Sequence, residues 1–374
     1  MALTSPVLLV VTIITALLLA MVESAPLFHL EYSTVTGYFL QDDPATDPAK
    51  FDYATAGFGL INQTYDTDKT FDPHHQKSQW ERFKYKVLTL NKDAKPGIKY
   101  TLLYLGRHGQ GYHNVAERYY GTEAWDCYWS MLEGNGTITW ADAHLTDQGI
   151  ADAKVAHQTW ATQMKHGIPV PESYYTSPLS RCLQTANVTF STLNLPESNP
   201  FLPTVKEHFF HRIAPIYKSE SPLKRKATEK KISHQLLRET IGIHTCDRRS
   251  SRTYINSTYP TYIIEHGFTE SDTLWVPDLR ESFSAQRERV RTLFDDIFTH
   301  DSNTFLSLTA HSEVITVILD VVGHRKFPLS TGAVIPVLIR AEKKPGKAPP
   351  RPVKPWTPAP KCTADPTATP EMLN

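Results

Sequence analysis

The chain has 374 residues and carries 39 Lys plus Arg against 39 Asp plus Glu, a formal net charge of zero. That balance excludes a general attraction to nucleic acid or anionic lipid, so any recognition of an anion must be local. The length allows one large domain or two small ones, with ample material for a packed core.

Residues 7–21 form an uncharged apolar run, short for a membrane span, and Val22-Glu23-Ser24 offers small residues at a signal-peptidase site. Residues 1–24 are therefore read as a signal peptide that leaves about 350 residues of mature chain with no membrane span. No Lys or Arg precedes the apolar run, so a retained signal anchor is the alternative. Acceptors of the type N-x-S/T at Asn62, Asn135, Asn187 and Asn256 agree with a secreted glycoprotein. Cys127, Cys182, Cys246 and Cys362 allow one or two disulfides there, with buried thiols as the alternative and the pairing open.

Residues 25–97 mix aromatics with Asp, Pro and Lys and show little periodicity, which predicts an irregular extension packed on the core. A domain follows over 98–341. Its first strand is YTLLYL at 100–105, which ends at Gly106. A helix starts near Leu145, with Thr146 as its cap and Ala153, Trp160 and Met164 at helical spacing. Residues 173–176 read as a strand, followed by a helix bearing Leu179, Leu183 and Ala186.

The stretch 208–235 carries seven Lys or Arg against two Glu and has no clear periodicity. It is an unusual basic insertion, either a loop or translated intron sequence, which sequencing the transcript decides. Phe283, Val290, Phe294 and Ile297 then predict an amphipathic helix. A strand at 305–309, an apolar helix at 314–322 and a strand at 333–339 complete the domain. From 342 to 374 there are nine prolines in 33 residues and few apolar side chains, so this tail is expected to be disordered.

The alternation of strands and helices predicts an α/β three-layer sandwich, a mostly parallel central sheet flanked by helices. Ligands of such sheets gather beyond the carboxyl ends of the strands. Three of those ends deliver histidine or arginine: Arg107-His108-Gly109 after the first strand, Arg181 after the second, and Ala310-His311-Ser312 after a late one.

RHGQGYHN at 107–114, LTDQG at 145–149, SPLSR at 177–181, LLRE at 236–239 and HS at 311–312 resemble the histidine phosphatase superfamily. More narrowly, the chain is similar to the fungal phosphoglycerate mutase-like proteins over most of residues 26–340, with WDCYW and TCDRRS as further landmarks. The resemblance implies a phosphohistidine enzyme with His108 as nucleophile, one ring nitrogen donating to a carbonyl and the other attacking phosphorus. Gly109 is expected where backbone must approach phosphate closely.

By the same resemblance Arg107, Arg181 and His311 cradle the equatorial oxygens, because charge spreads over them as the phosphoryl group transfers. Asn114 adds a neutral donor, and Ser312 offers amides from a helix start. Glu239 in LLRE is the implied proton donor to the leaving oxygen, and Asp272 is the reserve candidate. The phytase-like branch places an Asp after the last histidine, where this chain has Ser312.

His74, His75, His208 and His211 sit at no recognised ligand spacing, so no metal or cofactor is expected. The favoured activity is hydrolysis of a small-molecule phosphomonoester. The alternatives are a phosphoglycerate mutase-type transfer and a catalytically weak phospho-ligand binding protein. No feature of the sequence assigns an oligomeric state.

Overall fold

The computed structural model describes residues 27–206 and 237–367. The signal peptide expected over 1–24 and the basic insertion over 208–235, with His208 and His211, lie outside the described residues. In chain order the strands are β1 (Phe28–Thr34), β2 (Ile98–Arg107), β3 (Ser173–Thr176), β4 (Thr204–Val205), β5 (Ile263–Ile264), β6 (Phe305–Ala310) and β7 (Val334–Pro345). The main helices are α1 (Gln79–Lys92), α2 (Tyr112–Tyr120), α3 (Asp147–Lys165), α4 (Ser180–Phe190), α5 (Phe283–His300) and α6 (Ser312–Val321).

The strands form one sheet in the order β1-β7-β2-β6-β3-β4-β5. β2, β6, β3, β4 and β5 are mutually parallel, whereas β7 runs antiparallel between β1 and β2. The expected α/β architecture is what the chain adopts. Strand β2 lies inside the sheet and buries Leu102, Leu103, Tyr104 and Leu105, so successive side chains meet apolar layers on both faces. Tyr104 packs edge-to-face on Trp160 of α3, 4.7 Å between centroids, and Tyr32 of β1 packs on Phe294 of α5 at 5.5 Å.

Helix α3 starts where expected, with Thr146 Oγ1 accepting from Gly149 N at 3.1 Å. Helix α5 buries Val290, Leu293, Phe294 and Ile297, but Phe283 in its first turn is 53% exposed and does not join that face. Among the described residues, no helix is long and apolar enough to cross a membrane.

Two sequence expectations are corrected. Residues 25–97 are not wholly irregular: β1 pairs with β7, and α1 buries Trp80, Phe83 and Val87. The signal for α1 was present in Ser78-x-x-Glu81, where the Ser78 side chain accepts from Glu81 N at 3.2 Å and Glu81 accepts from Ser78 N at 2.9 Å. Surrounding loop residues diluted the periodicity over the longer window.

The tail expected to be disordered from 342 is held on the body as far as Thr367. Strand β7 runs on to Pro345, with Glu342 opposite Glu31 and Pro345 opposite Phe28. Beyond it Thr357 exchanges two backbone hydrogen bonds with Arg280, and Cys362 is disulfide-bonded to Cys127. Composition measures apolar burial, and these anchors are backbone pairs and a covalent bond, to which composition is blind.

Candidate active site

The parallel register builds the site. Arg107 of β2 sits opposite Ala310 of β6, and Thr309 opposite Thr176 of β3, so the next residues, His108, His311 and Ser177, emerge together at one edge. Backbone bonds fix them: His108 N donates to Ala310 O at 3.0 Å and Ser177 N to Thr309 O at 3.1 Å. The rings of His108 and His311 are 5.2 Å apart, and those of His108 and His113 are 5.4 Å apart.

His108 is 2% exposed, and its Nδ1 lies 2.7 Å from the carbonyl oxygen of Gly109. A carbonyl only accepts, so this contact assigns the proton to Nδ1 and the lone pair to Nε2. Burial, reinforced by the charges of Arg181 and Arg107, holds the imidazole pKa well below its ordinary value, so the ring is neutral across the physiological range.

A Cβ on Gly109 would meet the carbonyl oxygen of Gly149 at 2.2 Å, so packing against the first turn of α3 by itself requires glycine there.

Arg181 opens α4 and is 1% exposed. It donates from Nε to His311 Nδ1 at 3.2 Å, from Nη1 to Cys246 O at 2.6 Å and from Nη2 to Asp247 Oδ1 at 2.8 Å. Its fork is therefore held by protein, and it acts on the site as a fixed positive charge. Asp247 Oδ2 accepts from Arg280 Nη1 at 2.8 Å, so one buried carboxylate bridges two guanidinium groups. Burial alone would raise the Asp247 carboxyl, but Arg280 and Arg181 outweigh it and bring it down to about 2.

With Nδ1 of His311 accepting from Arg181, its Nε2 is the donor to Ser177 Oγ at 2.7 Å. Arg107 donates from Nη1 to Leu329 O at 2.6 Å, while its buried Nε has no partner among the described residues and lies beside the cleft. An unpaired buried donor is costly, and an anion in the cleft would relieve that cost.

Glu239 shares a cleft of ≈ 580 Å³ with His108, Arg107, Arg181, Asn114 and Ser312. Its carboxylate accepts from Thr240 N at 3.0 Å and from Glu313 N, in the first turn of α6, at 3.3 Å. Burial and the negative charges of Asp247 and Glu313 push its pKa up to about 7, against the pull of Arg181. Asn114 Oδ1 accepts from Gly111 N at 3.0 Å, which leaves its Nδ2 as the donor on that side chain.

Asp272 has no part in the cleft. It takes two bonds from Arg238, at 2.8 and 2.6 Å, and others from the amides of Arg249 and Trp275. Despite burial, these hold its carboxyl well below the usual range, so it is an ionised structural anchor. Asp272→Asn is accordingly expected to lower the melting temperature, because the buried ion pair between Arg238 and Asp272 is removed. The kcat of the folded variant is expected to stay within about threefold of the parent. A loss of about a hundredfold in kcat at unchanged stability would restore Asp272 as an acid candidate.

The motifs RHGQGYHN, WDCYW and TCDRRS contain His113, Asp126 and Asp247 without assigning them a role, and Glu117, His244 and Arg280 lie outside them. No motif marks Arg280, which reaches Asp247 only through the fold. Ligand atoms of His244, Cys246 and Asp247 lie within 4.8 Å of one another. Both Asp247 oxygens are bound by arginine, and burial raises the Cys246 thiol well above its ordinary value, so this cluster suits a buried counter-ion rather than a metal.

The family described as histidine phosphatase superfamily (branch 1) matches residues 130–208. A probable phosphoglycerate mutase of Arthroderma benhamiae is 59% identical over 325 residues, which cover 87% of this chain and 89% of the relative. Phosphomutase-like protein 3 of Candida albicans is 32% identical over 91% of this chain and 90% of its own length. A probable phosphoglycerate mutase of Saccharomyces cerevisiae is 32% identical over 77% of this chain and 92% of its own length.

Proposed function

This chain belongs to the histidine phosphatase superfamily, and we propose that within it the chain is a phosphomonoester hydrolase working through a phosphohistidine on His108. The observation that carries the reading is the neutral, buried imidazole of His108, oriented by the Gly109 carbonyl, in one cleft with an acid poised near neutrality. His108 Nε2 attacks phosphorus, the bond to the leaving oxygen breaks, and Glu239 gives that oxygen its proton. Glu239, now a carboxylate, takes a proton from water as the water oxygen attacks phosphorus. The N–P bond then breaks, its electron pair returns to Nε2, and phosphate departs. Arg107 and Arg181 set fixed positive charge beside the equatorial oxygens, and His311 holds the Nε of Arg181 in place through its own Nδ1.

Hydrolysis is favoured over transfer between phosphoglycerates by the charge of the cleft. Among the described residues its wall carries, beyond the histidines, Glu117, Asp126 and Glu313, and of its arginines Arg181 and Arg280 are bound to Asp247. A mutase must also hold its substrate's carboxylate, which such a wall repels. Purified protein is expected to release phosphate from alkyl phosphomonoesters, with the rate unchanged by chelator. Interconversion of phosphoglycerates without release would support the mutase reading instead, and neither activity would favour a binding protein.

Passage through the secretory route belongs to the same proposal. It is supported by the Cys127–Cys362 disulfide and by the exposure of Asn62, Asn135 and Asn256. Asn187 is half-buried within α4 and is the weakest of the four acceptors.

A further inference from the structure

We propose that the C-terminal strap, residues 351–367, is the specificity-determining wall of the cleft, locked by the Cys127–Cys362 disulfide, and that it restricts the enzyme to small phosphomonoesters. The inference rests on the phosphomonoesterase reading and adds what limits its substrate.

After β7 the chain crosses the start of α5. Arg351 pairs with Glu288 at 3.1 Å, and Lys354 uses its own N and O to bind the side chains of Ser284 and Ser282, both at 2.8 Å. Thr357 then forms a two-bond bridge with Arg280, 2.7 and 3.0 Å. The next turn places Thr357, Pro358 and Pro360 in the lining of the cleft that holds His108 and Glu239. Past the mouth the strap is fastened on the far side: Cys362 to Cys127, Thr363 to Glu123, and Pro366 O accepting from Trp129 Nε1 at 2.7 Å.

Two features make this a wall. Proline has a fixed φ and no N–H, so Pro358 and Pro360 offer a stiff surface with no donor for phosphate, and their effect on a substrate is steric. Arg280 carries the strap on its main chain and Asp247 on its side chain, which ties the position of the wall to the charges around His311. The disulfide joins residues 235 apart in sequence, so cutting it removes the strongest restraint on the distal half of the strap.

The test compares the full chain, Cys127→Ser/Cys362→Ser, and a chain ending at residue 350. Each is assayed on glycerol phosphate and on a phosphoserine peptide of about twelve residues. The ratio of kcat/KM for peptide over glycerol phosphate is expected to rise about tenfold or more in both variants, with kcat on glycerol phosphate within about threefold of the parent. An unchanged ratio overturns the proposal, and so does a parallel loss on both substrates, which marks the strap as merely structural.

If the shortened chain does not fold, the double serine variant carries the test. If the parent hydrolyses neither ester, the phosphatase reading fails on its own, and the wall is judged by modification of His108 with diethyl pyrocarbonate, mapped by mass spectrometry. Modification about fivefold faster in the variants supports the wall, and equal rates overturn it.

Discussion

His108→Ala is expected to abolish turnover, lowering kcat by about 10⁴-fold or more, because among the described residues no other cleft histidine is oriented by a backbone carbonyl as His108 is. His311 faces the same space, but its one ring lone pair, on Nδ1, accepts from Arg181 while Nε2 donates to Ser177, so no lone pair is presented to phosphorus. His113 is buried and lies in the same cleft on α2, one helix start removed from the end of β2. Rapid quenching of the parent enzyme with ³²P-labelled substrate should trap an acid-labile, base-stable phosphoprotein, and His108→Ala should trap none. Label in the variant, or a rate within about tenfold of the parent, would sink the phosphohistidine mechanism.

The acid side of the pH profile tests the same residue. Burial, then Arg181 and Arg107, lower its pKa, so the His108 ring remains neutral on descending through the ordinary histidine value of 6.5. Activity that depends on His108 should therefore persist well below that pH. The stability sign follows from the same depression. The unfolded chain takes up a proton that the folded ring resists, so stability is present above 6.5 and is lost as pH falls below it.

The parts of the site legible in the sequence are those that the sheet delivers directly. An apolar run ending at Arg107-His108 and another ending at Ala310-His311 identify the edge that carries the candidate site, since a buried parallel strand can only present functional groups where it stops. Asp247 and Arg280 were not legible in this way. Asp247 ends a short 3-10 turn and Arg280 lies in the segment just ahead of α5, so neither is delivered by the end of a parallel strand. Charge pairing of that kind depends on tertiary placement, which leaves no period or spacing in the chain. The strap was hidden for a related reason: its prolines read as disorder, while its anchors are a distant cysteine and the backbone of Arg280.

Glu239→Gln separates proton donation from nucleophilic attack. With an alkyl phosphate, whose leaving oxygen needs a proton, kcat is expected to fall by about 10² to 10⁴. With p-nitrophenyl phosphate the first step needs no acid, because nitrophenolate leaves unaided, whereas the second step still lacks a base for water. The variant should therefore give a burst of about one nitrophenol per enzyme and then a slow steady rate. No burst, together with an equal loss on both substrates, would mean that Glu239 only positions other groups.

The pH dependence supplies a second reading of the same carboxyl. Burial, Asp247 and Glu313 raise it from an ordinary 4.5 to about 7, so the protonated donor dominates below about 7. Parent kcat on the alkyl ester should decline as pH rises through that value, and the Gln variant should show no such limb. Between 4.5 and 7 the folded state holds a proton that the unfolded chain releases, so stability from this group is lost as pH rises through the window. Thermal unfolding of Glu239→Gln should accordingly depend less on pH than the parent's over that range, a result that requires no substrate. The proposed proton donor thus weakens the fold near neutrality, as expected of an acid held protonated beside Asp247 and Glu313 rather than placed in water.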